Sequence, residues 1–514
     1  MSCASEWIGG RFELLGDPGV VAQNQQYLWK QLWGGWQALP VAEDELWVRA
    51  VDRTTGEAVR FVPRSGRIFW GDDLRREAAA RAVMRLGLAA VVPVLHAGPG
   101  VVYGETPEAG WPRLSLTDAA ACTISACEAA ESLLAAGVDR ELHVGPGLLR
   151  VRGGGEVAWV VPRVNSLAAV EAHSPGFDYE GREAHERMVA GVFGARAKRG
   201  DGREDAVARV VWELAGMFFV LAGEEALVAD ERMAALAQVY LGKDSELCVA
   251  ELAALLAPLT AAPELWAERI SKMPHVRVAP RLAMDWDRIV ADGEALLAGP
   301  AEDMFSARHP QYVTIPLAEA YHQRACVAFN CGEYDSALIE ASAAVQRDPS
   351  IGHRTTRAVI LDALGRLAEA RVEIDAAFMS PPLVVAEEDW RHHKPLAPAE
   401  EARLVAARGT IALREGALAQ AEVDLRKAWE LEPTAARSSA YGAVLYALGR
   451  VEEAAKVEAM AVAAAPEHPG FRWALVVSLV RLARADEAQA HARELLRLAP
   501  GVYDERVGRV LEQR

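Results

Sequence analysis

The sequence is poor in cysteine and has no excess of basic residues. Its six cysteines among 514 residues form no Cys-x-x-Cys pair, which excludes a thioredoxin-type motif and the usual zinc-ligand spacing. So few cysteines in so long a chain make no disulfide framework, which favours a reducing cytoplasm. Acidic residues outnumber basic ones and give a net charge of −17. This balance argues against a nucleic-acid-binding protein, whose surface would be basic.

A long apolar run is also missing. The longest uncharged stretch, residues 86–104, is interrupted by Pro93 and by the turn residues 98–100, which is typical of strands and turns and not of a membrane helix. The first residues lack a basic start followed by an apolar segment, so we expect no signal peptide and no membrane association. The length predicts two to four domains, at roughly 100–200 residues each.

Five segments in the C-terminal third share one pattern of small residues. A small residue is followed by Gly seven positions on, Ala five later, Ala seven later and Pro five later, as in 325–349; the fifth segment, 476–500, has three substitutions. The loop position recurs after 33 residues from Gly416 to Gly449 and after 34 from Gly449 to Ala483. Small side chains let two antiparallel helices approach, Gly ends the first helix and Pro ends the second. The pattern resembles the tetratricopeptide repeat, which implies an all-α solenoid.

We place this repeat array at residues 318–514, after a helical connector at 271–317. An insert at about 383–401 separates the second and third repeats. It contains several carboxylates and histidines, but a polar loop of this kind is usually solvated, so we predict no metal site there. A helix from Trp286 to Leu297 and another after Val502 would cover the two ends of the array.

The first helix of each repeat is expected to line the concave side of such an array. Its Asn and Arg side chains could hold a carboxylate or an acidic peptide, and an ordinary solvated helix face is the alternative. Relatives of this repeat class clamp a C-terminal carboxylate with two Lys, two Asn and one Arg; this chain lacks that set. The groove candidates are His322, Phe329, Asn330, Asp362, Arg414, Tyr446, Trp473 and Arg481.

The N-terminal half begins with strand-like segments and a hairpin. Glu45–Val51 alternates in polarity, ends in the turn Asp52–Glu57, and Ala58–Val62 pairs back. A helix is predicted over Asp72–Leu86, followed by a strand within Ala90–Gly98. In this order the segments resemble the small lobe of bacterial Ser/Thr protein kinases.

The resemblance continues into a large lobe. Leu116–Ala136 is a long Ala-rich helix, Gly137–Val151 stands where kinases have the catalytic loop, and Val157–Arg163 stands where they have the metal-binding strand. The likeness is one of order over residues 11–270, and it implies a two-lobed, α+β kinase-like domain at 1–270. An unrelated α+β domain is the alternative.

The kinase motifs themselves are degenerate. Phosphoryl transfer needs a phosphate loop, a Lys, a catalytic Asp and two metal ligands. The resemblance places Arg60 at the lysine position, where it could pair with Glu77, and Glu141 at the catalytic base. Pro146 and the run Val160–Pro162 replace the two magnesium ligands, so the phosphate charge has no clamp. We therefore predict a pseudokinase with no catalytic residue, metal or cofactor.

Together these features predict a non-catalytic protein–protein interaction scaffold or adaptor in bacterial signalling, located in the cytoplasm. Two alternatives remain: an active, atypical Ser/Thr kinase whose array recruits substrate, and an ATP-binding sensor that does not hydrolyse the nucleotide. Expected partners are proteins or peptides, not nucleic acid or membranes, and the oligomeric state is not predicted. A Trp-rich insertion at about 20–40 is either an interaction surface or a cover for the small lobe's core.

Overall fold

The computed structural model describes most of the chain, in two compact units. Unit one is formed by residues 1–285 and 300–313, and unit two by 286–299 and 314–514. Glu141, Pro146, nearly all of the Trp-rich insertion and all but the end of the 383–401 insert lie outside the described residues. The described residues are 7–21, 47–64, 70–104, 111–140, 142–145, 148–151, 156–161, 189–190, 206–227, 231–241, 247–299, 311–379 and 398–512.

Unit one contains a six-stranded antiparallel sheet and a separate two-stranded hairpin. The strands are β1 Trp7–Ile8, β2 Phe12–Leu14, β3 Val48–Asp52, β4 Ala58–Val62, β5 Val94–Gly98, β6 Gly100–Tyr103, β7 Leu149–Val151 and β8 Val157–Trp159. The sheet order is β1-β2-β3-β4-β6-β5, and β7 pairs with β8.

The β3–β4 hairpin confirms the predicted pairing. Ala50 lies opposite Val59, and both are buried. Arg49, the residue before Ala50, is exposed, because successive side chains of a strand point to opposite faces of the sheet. The Asp52 carboxylate accepts the N–H of Thr54 at 2.9 Å, and Gly56 adopts a φ of +76° that side chains resist.

Helices supply the rest of the core of unit one. They are α1 Trp70–Leu86, α2 Leu116–Ala135, α3 Ala206–Ala222, α4 Glu231–Leu241, α5 Val249–Leu256 and α6 Pro263–Ile270, with short 3-10 turns at Gly223–Leu227 and Ala257–Leu259. Ser115 caps α2 by accepting the N–H of Asp118. Most of α3 is buried, because it is apolar on nearly every side. The described part of this unit is thus a small antiparallel sheet with packed helices.

Unit two consists of helix pairs. The first helices are α8 Gln311–Asn330, α10 Ile351–Ala363, α12 Pro398–Arg414, α14 Ala435–Ala447 and α16 Pro469–Arg481. The second helices are α9 Tyr334–Arg347, α11 Leu367–Met379, α13 Leu418–Leu431, α15 Val451–Ala464 and α17 Ala485–Leu498. The five predicted repeats are therefore confirmed as five helical hairpins.

The small residues of the repeat pattern mark the close approaches of paired helices. A Cβ added to Gly409 would lie 2.7 Å from Leu425 Cγ, nearer than real side chains come. The glycines between paired helices have φ angles from +76° to +80°. In the fifth repeat this left-handed position is occupied by Ala483, with φ 56°.

Two further helices cover the ends of the array. The helix α7 Trp286–Ala298 packs before the first repeat, where the Tyr321 hydroxyl donates to the Glu294 carboxylate at 2.9 Å and Arg347 pairs with the same carboxylate. The helix α18 Asp504–Glu512 buries Val507 against the last pair. In the described ranges, none of the helices has the length and apolar character needed to span a membrane.

Candidate functional site

Three first helices, α12, α14 and α16, each carry a stripe of exposed or half-buried residues at corresponding repeat positions. On α12 the buried Gly409 touches α13, whereas Arg403, Thr410 and Arg414 lie together about a third of a turn around the helix from it, exposed or half-buried. The equivalent stripes of α14 and α16 are made mainly of small and apolar side chains. We call these three stripes the first-helix face. Its residues are Arg403, Ala406, Thr410, Arg414, Ala436, Ser439, Ala443, Ala447, Trp473, Val477 and Arg481.

The first-helix face is positively charged although the whole chain is acidic. None of its residues is Asp or Glu, and it contains three arginines. Arg403 and Arg481 are exposed, and no carboxylate pairs with either of them in the part of the chain that the structure describes. Such uncompensated guanidinium groups attract carboxylates and can bind them with two parallel hydrogen bonds.

The third arginine of the face is already engaged. Arg414 Nη1 lies 2.7 Å from Asp362 Oδ1 and also donates to the backbone carbonyl of Asp362. Burial raises the pKa of Asp362, and the charge of Arg414 opposes this rise only in part. The predicted groove residues Asp362 and Arg414 therefore link the ends of α10 and α12, which leaves Arg403 and Arg481 to carry the net charge.

Sequence reasoning missed Arg403. A signal for it exists in the repeat pattern, because Arg403 precedes Thr410 by seven residues, or two helical turns, and so shares its face. The predicted Asn330 lies exposed at the last turn of α8, and Arg481 at the last turn of α16. Their role in a groove remains a prediction.

The aromatic candidates pack between helices and are only partly exposed. The Phe329 ring lies 5.4 Å from that of Tyr334, and the Trp473 ring lies 5.7 Å from that of Tyr503. Tyr446 is half-buried against the apolar cluster of the third and fourth repeats. Their binding role remains a prediction, since each ring also has a packing role.

His322 lies inside the array and not in an open groove. It is 8% exposed, and its ring is 5.2 Å from that of His353 on the next first helix. Its position in the first helix predicted a place on the concave side, but the His322 side chain points toward the neighbouring repeat. His322 belongs to a charged cluster that the sequence did not reveal, since its members come from two repeats.

His353 is the centre of this cluster. Its Nδ1 atom lies 2.9 Å from the carbonyl oxygen of Asp348 and 3.2 Å from its carboxylate, and its Nε2 atom lies 3.7 Å from Glu319 Oε2. Burial alone would lower the pKa of His353, but the contacts with Asp348 and Glu319 outweigh it and raise the pKa to about 9. The imidazolium therefore joins α10 to the Glu319 carboxylate on α8.

In unit one, the buried carboxylate of Glu77 is held by a different cation from the one predicted. Arg64 Nε and Nη2 lie 2.6 and 2.8 Å from its two oxygens, and the N–H of Gly100 donates to it at 3.0 Å. The guanidinium of Arg60 lies over the Trp47 ring, 4.2 Å from its centre. A cationic partner of Glu77 is thus Arg64, two residues beyond the end of β4.

The loop at the predicted catalytic position is fixed by α3. Arg209 donates to the carbonyls of Asp139 and Leu142, at 2.7 and 3.2 Å, and the Glu213 carboxylate accepts the N–H of Val144 at 2.9 Å. The described part of this loop is therefore held by hydrogen bonds between its main chain and the side chains of Arg209 and Glu213. Across the described ranges, no three His, Cys, Asp or Glu side chains are arranged to hold a metal ion.

No protein-family model matches the chain, and no curated protein sequence matches it. Solved structures that resemble it are tetratricopeptide-repeat (TPR) proteins, and they cover its C-terminal helical part. A thermophilic TPR protein of Thermus thermophilus is 21% identical, covers 38% of this chain and 99% of its own length, and has a TM-score of 0.31. YrrB, a TPR protein with an unusual peptide-binding site, is 17% identical, covers 39% of this chain and 95% of its own length, and has a TM-score of 0.27. The pilF protein of Pseudomonas aeruginosa is 17% identical over 38% and 85%, with a TM-score of 0.30.

Proposed function

We propose that this chain is a non-catalytic interaction scaffold that binds an acidic peptide segment of a partner protein on its first-helix face. Arrays of helical pairs bind partners along an extended surface that successive first helices form together. The first-helix face has the exposure that such a role requires. Its small side chains on α14 leave room for a partner backbone between Arg403 on α12 and Arg481 on α16.

The observation that carries this proposal is the pair of exposed, uncompensated arginines, Arg403 and Arg481. They belong to the third and fifth repeats, so a ligand that contacts both must run across the repeats. A carboxylate bound to either would replace water and form charge-assisted hydrogen bonds. Exposed ion pairs contribute about 0.2–1 kcal/mol each, so specificity would depend on engaging both sites.

Selection of peptides from a displayed library on the full chain tests the proposal. We expect enrichment of peptides with several Asp or Glu residues. The double variant Arg403→Glu/Arg481→Glu should weaken their binding by about 1–3 kcal/mol, from roughly fivefold to more than a hundredfold.

A matched control removes the effect of total charge. Arg426→Glu/Arg493→Glu makes the same charge change at exposed positions on the second helices α13 and α17 and should leave binding within about twofold. Enriched peptides without an acidic bias, or equal loss of binding in both double variants, would contradict the proposal.

We also propose that unit one is a degenerate kinase-like domain that docks proteins and catalyses no reaction. The antiparallel sheet, the helix α1 with its buried Glu77–Arg64 pair and the loop held by α3 support the resemblance. Pro146 and Val160–Pro162 in place of metal ligands support the absence of catalysis. The cytoplasmic, bacterial signalling setting belongs to the same proposal and rests on the sequence resemblance and the few cysteines.

A nucleotide-binding sensor is the second candidate for unit one. The Glu77–Arg64 pair favours it, because active kinases likewise pair a helix glutamate with the cation that contacts the phosphates. Calorimetric titration of ATP with and without magnesium distinguishes the candidates. Metal-independent binding that Arg64→Ala abolishes and the exposed Arg75→Ala retains would favour the sensor. Phosphate incorporation that Glu141→Gln abolishes would establish an enzyme, and absence of heat would leave a docking domain.

A further inference from the structure

Unit one contains an open apolar cleft between α5, the 3-10 turn that follows it, and α6. The cleft has a volume of about 430 Å³. This size falls within the range of about 300–1,000 Å³ that is usual for ligand pockets. Its apolar walls are formed by Ala254, Ala257, Pro258, Pro263, Ala267 and Ile270.

The shape of the cleft is built into its walls. Alanine and proline side chains are too short to fill the space between the two helices. The turn is fixed by Thr260, whose hydroxyl donates to the Ala257 carbonyl at 2.7 Å. The helix α6 is anchored by Arg269, which pairs with Glu128 of α2 through an Nε contact of 2.8 Å and stacks on Trp266. Pre-formed walls reduce the ordering that binding would otherwise require.

A single uncompensated carboxylate faces this apolar surface. Glu264 lines the cleft, and no cation pairs with it in the described ranges. The other charged side chains of α6 are neutralised locally, because Glu268 pairs with Lys272 and Arg269 pairs with Glu128. The hydroxyl of Ser271 donates to a carbonyl of its own helix at 2.7 Å. His275 completes the lining, and the carboxylate presented to a ligand is that of Glu264.

We propose that this cleft docks a short apolar segment, flanked by Lys or Arg, of a partner protein. The volume exceeds that of one leucine side chain and suits two or three residues with apolar side chains. A cation next to them would lie against Glu264, in keeping with the negative charge of the whole chain. The cleft lies within unit one, so this proposal does not depend on the acidic-peptide site of the array.

Methyl NMR of the full-length protein, labelled at Ala and Ile methyl groups, tests the proposal. The probes are acetyl-Leu-Leu-Lys-amide and its matched anion, acetyl-Leu-Leu-Glu-amide. We expect the lysine peptide to shift the methyl signals of Ala254, Ala267 and Ile270, and the glutamate peptide to bind at least about fivefold more weakly. Ala267→Trp, which places an indole in the cleft from a partly open position, should abolish the shifts.

Glu264→Gln tests the charge separately from the shape. It should weaken the lysine peptide by about 1.5-fold to fivefold and leave the glutamate peptide unchanged or improved. Glu268→Gln on the same helix is the matched control and should leave both affinities unchanged, because Lys272 already neutralises that carboxylate. Equal affinity of the two peptides, insensitivity to Glu264→Gln, or shifts that persist in Ala267→Trp would overturn the proposal.

Discussion

Replacing Glu458 by glutamine is expected to stabilise the repeat unit at neutral and higher pH. Glu458 on α15 is only 2% exposed, and its Oε2 atom has no hydrogen-bond partner in the described part of the chain. The buried Ser478 hydroxyl on α16 likewise has none there. Gly442 on α14 leaves the space for this carboxyl group, since a Cβ at that position would lie 2.6 Å from Glu458 Cγ.

The sign of the pH dependence follows from the burial. Burial raises the pKa of Glu458, and the dipole of the Ser478 hydroxyl beside it, which does not meet the geometry of a hydrogen bond, opposes this only in part. The folded state therefore binds the proton more tightly than the unfolded state, in which the pKa of Glu is about 4.3. Proton binding by Glu458 contributes fully to the free energy of unfolding below the pKa of the unfolded state. This contribution is lost as the pH rises through the pKa of the folded state. Above that pH the repeats contain an ionised, poorly solvated carboxylate.

The size of the effect can be set from the missing hydrogen bond. Leaving a buried polar group unsatisfied costs about 1–3 kcal/mol, and more when the group is charged. Glutamine has the same shape without the charge, and its amide can donate to the Ser478 hydroxyl. We expect Glu458→Gln to raise the free energy of unfolding by about 1–2 kcal/mol at pH 8 and to leave it nearly unchanged at pH 4. The transition of unit two would shift by about 2–4 °C per kcal/mol.

Thermal and urea unfolding at pH 4, 6 and 8, with amide exchange in α15 and α16, measures this difference. Glu452→Gln on the same helix is the matched control, because Glu452 is exposed and its neutralisation should change stability by less than about 0.5 kcal/mol. A loss of stability in Glu458→Gln at pH 8, or a gain that is the same at pH 4 and pH 8, would refute the reasoning.

Three other substitutions test the packing and electrostatics of the repeats, each read by urea unfolding. Ala483→Gly should stabilise by about 0.5–1 kcal/mol, because it relieves the left-handed backbone at φ 56°; no gain would mean that the strain is absent. His353→Gln should destabilise by about 1–3 kcal/mol at pH 7, since it leaves the buried Asp348 carboxylate and the exposed Glu319 carboxylate without their cation. Because the folded pKa is raised to about 9, that histidine's contribution is full below about pH 6.5 and should disappear as the pH rises through 9. Gly409→Ala should cost about 1–3 kcal/mol through the contact with Leu425, whereas Gly352→Ala, with open space around it, should be neutral or stabilising; equal effects would contradict the close-packing argument.

The parts of the fold that depend on neighbouring residues could be predicted from the sequence. The hairpin turn at Asp52–Glu57 and the helix over Leu116–Ala135 are set by local turn chemistry, capping and composition. The repeats could be found because one packing solution recurs five times, so that each glycine and alanine is repeated at a fixed spacing.

Contacts that join distant segments could not be predicted in the same way. The pairing of Glu77 with Arg64 depends on how the chain leaves β4 and on where the 98–100 turn brings the N–H of Gly100. The buried position of His322 depends on the angle between α8 and α10, which no spacing within one repeat specifies. In both cases the helix that contains the residue is predicted correctly, whereas the residue's contact partner is not.

The electrostatic links between successive first helices are unevenly placed along the array. The His353–Glu319 contact joins α10 to α8, and Arg414–Asp362 joins α12 to α10, whereas the junction of α14, α15 and α16 buries the unsatisfied Glu458. Because a repeat array is stabilised mainly by contacts between neighbours, opening at neutral pH is expected to begin in its last repeats. Arg481 lies in that same region, so an acidic peptide bound there would stabilise the part that opens most readily. Amide exchange in α15 and α16 should therefore slow when the peptide binds, and the slowing should be smaller in Glu458→Gln, whose last repeats are already more stable.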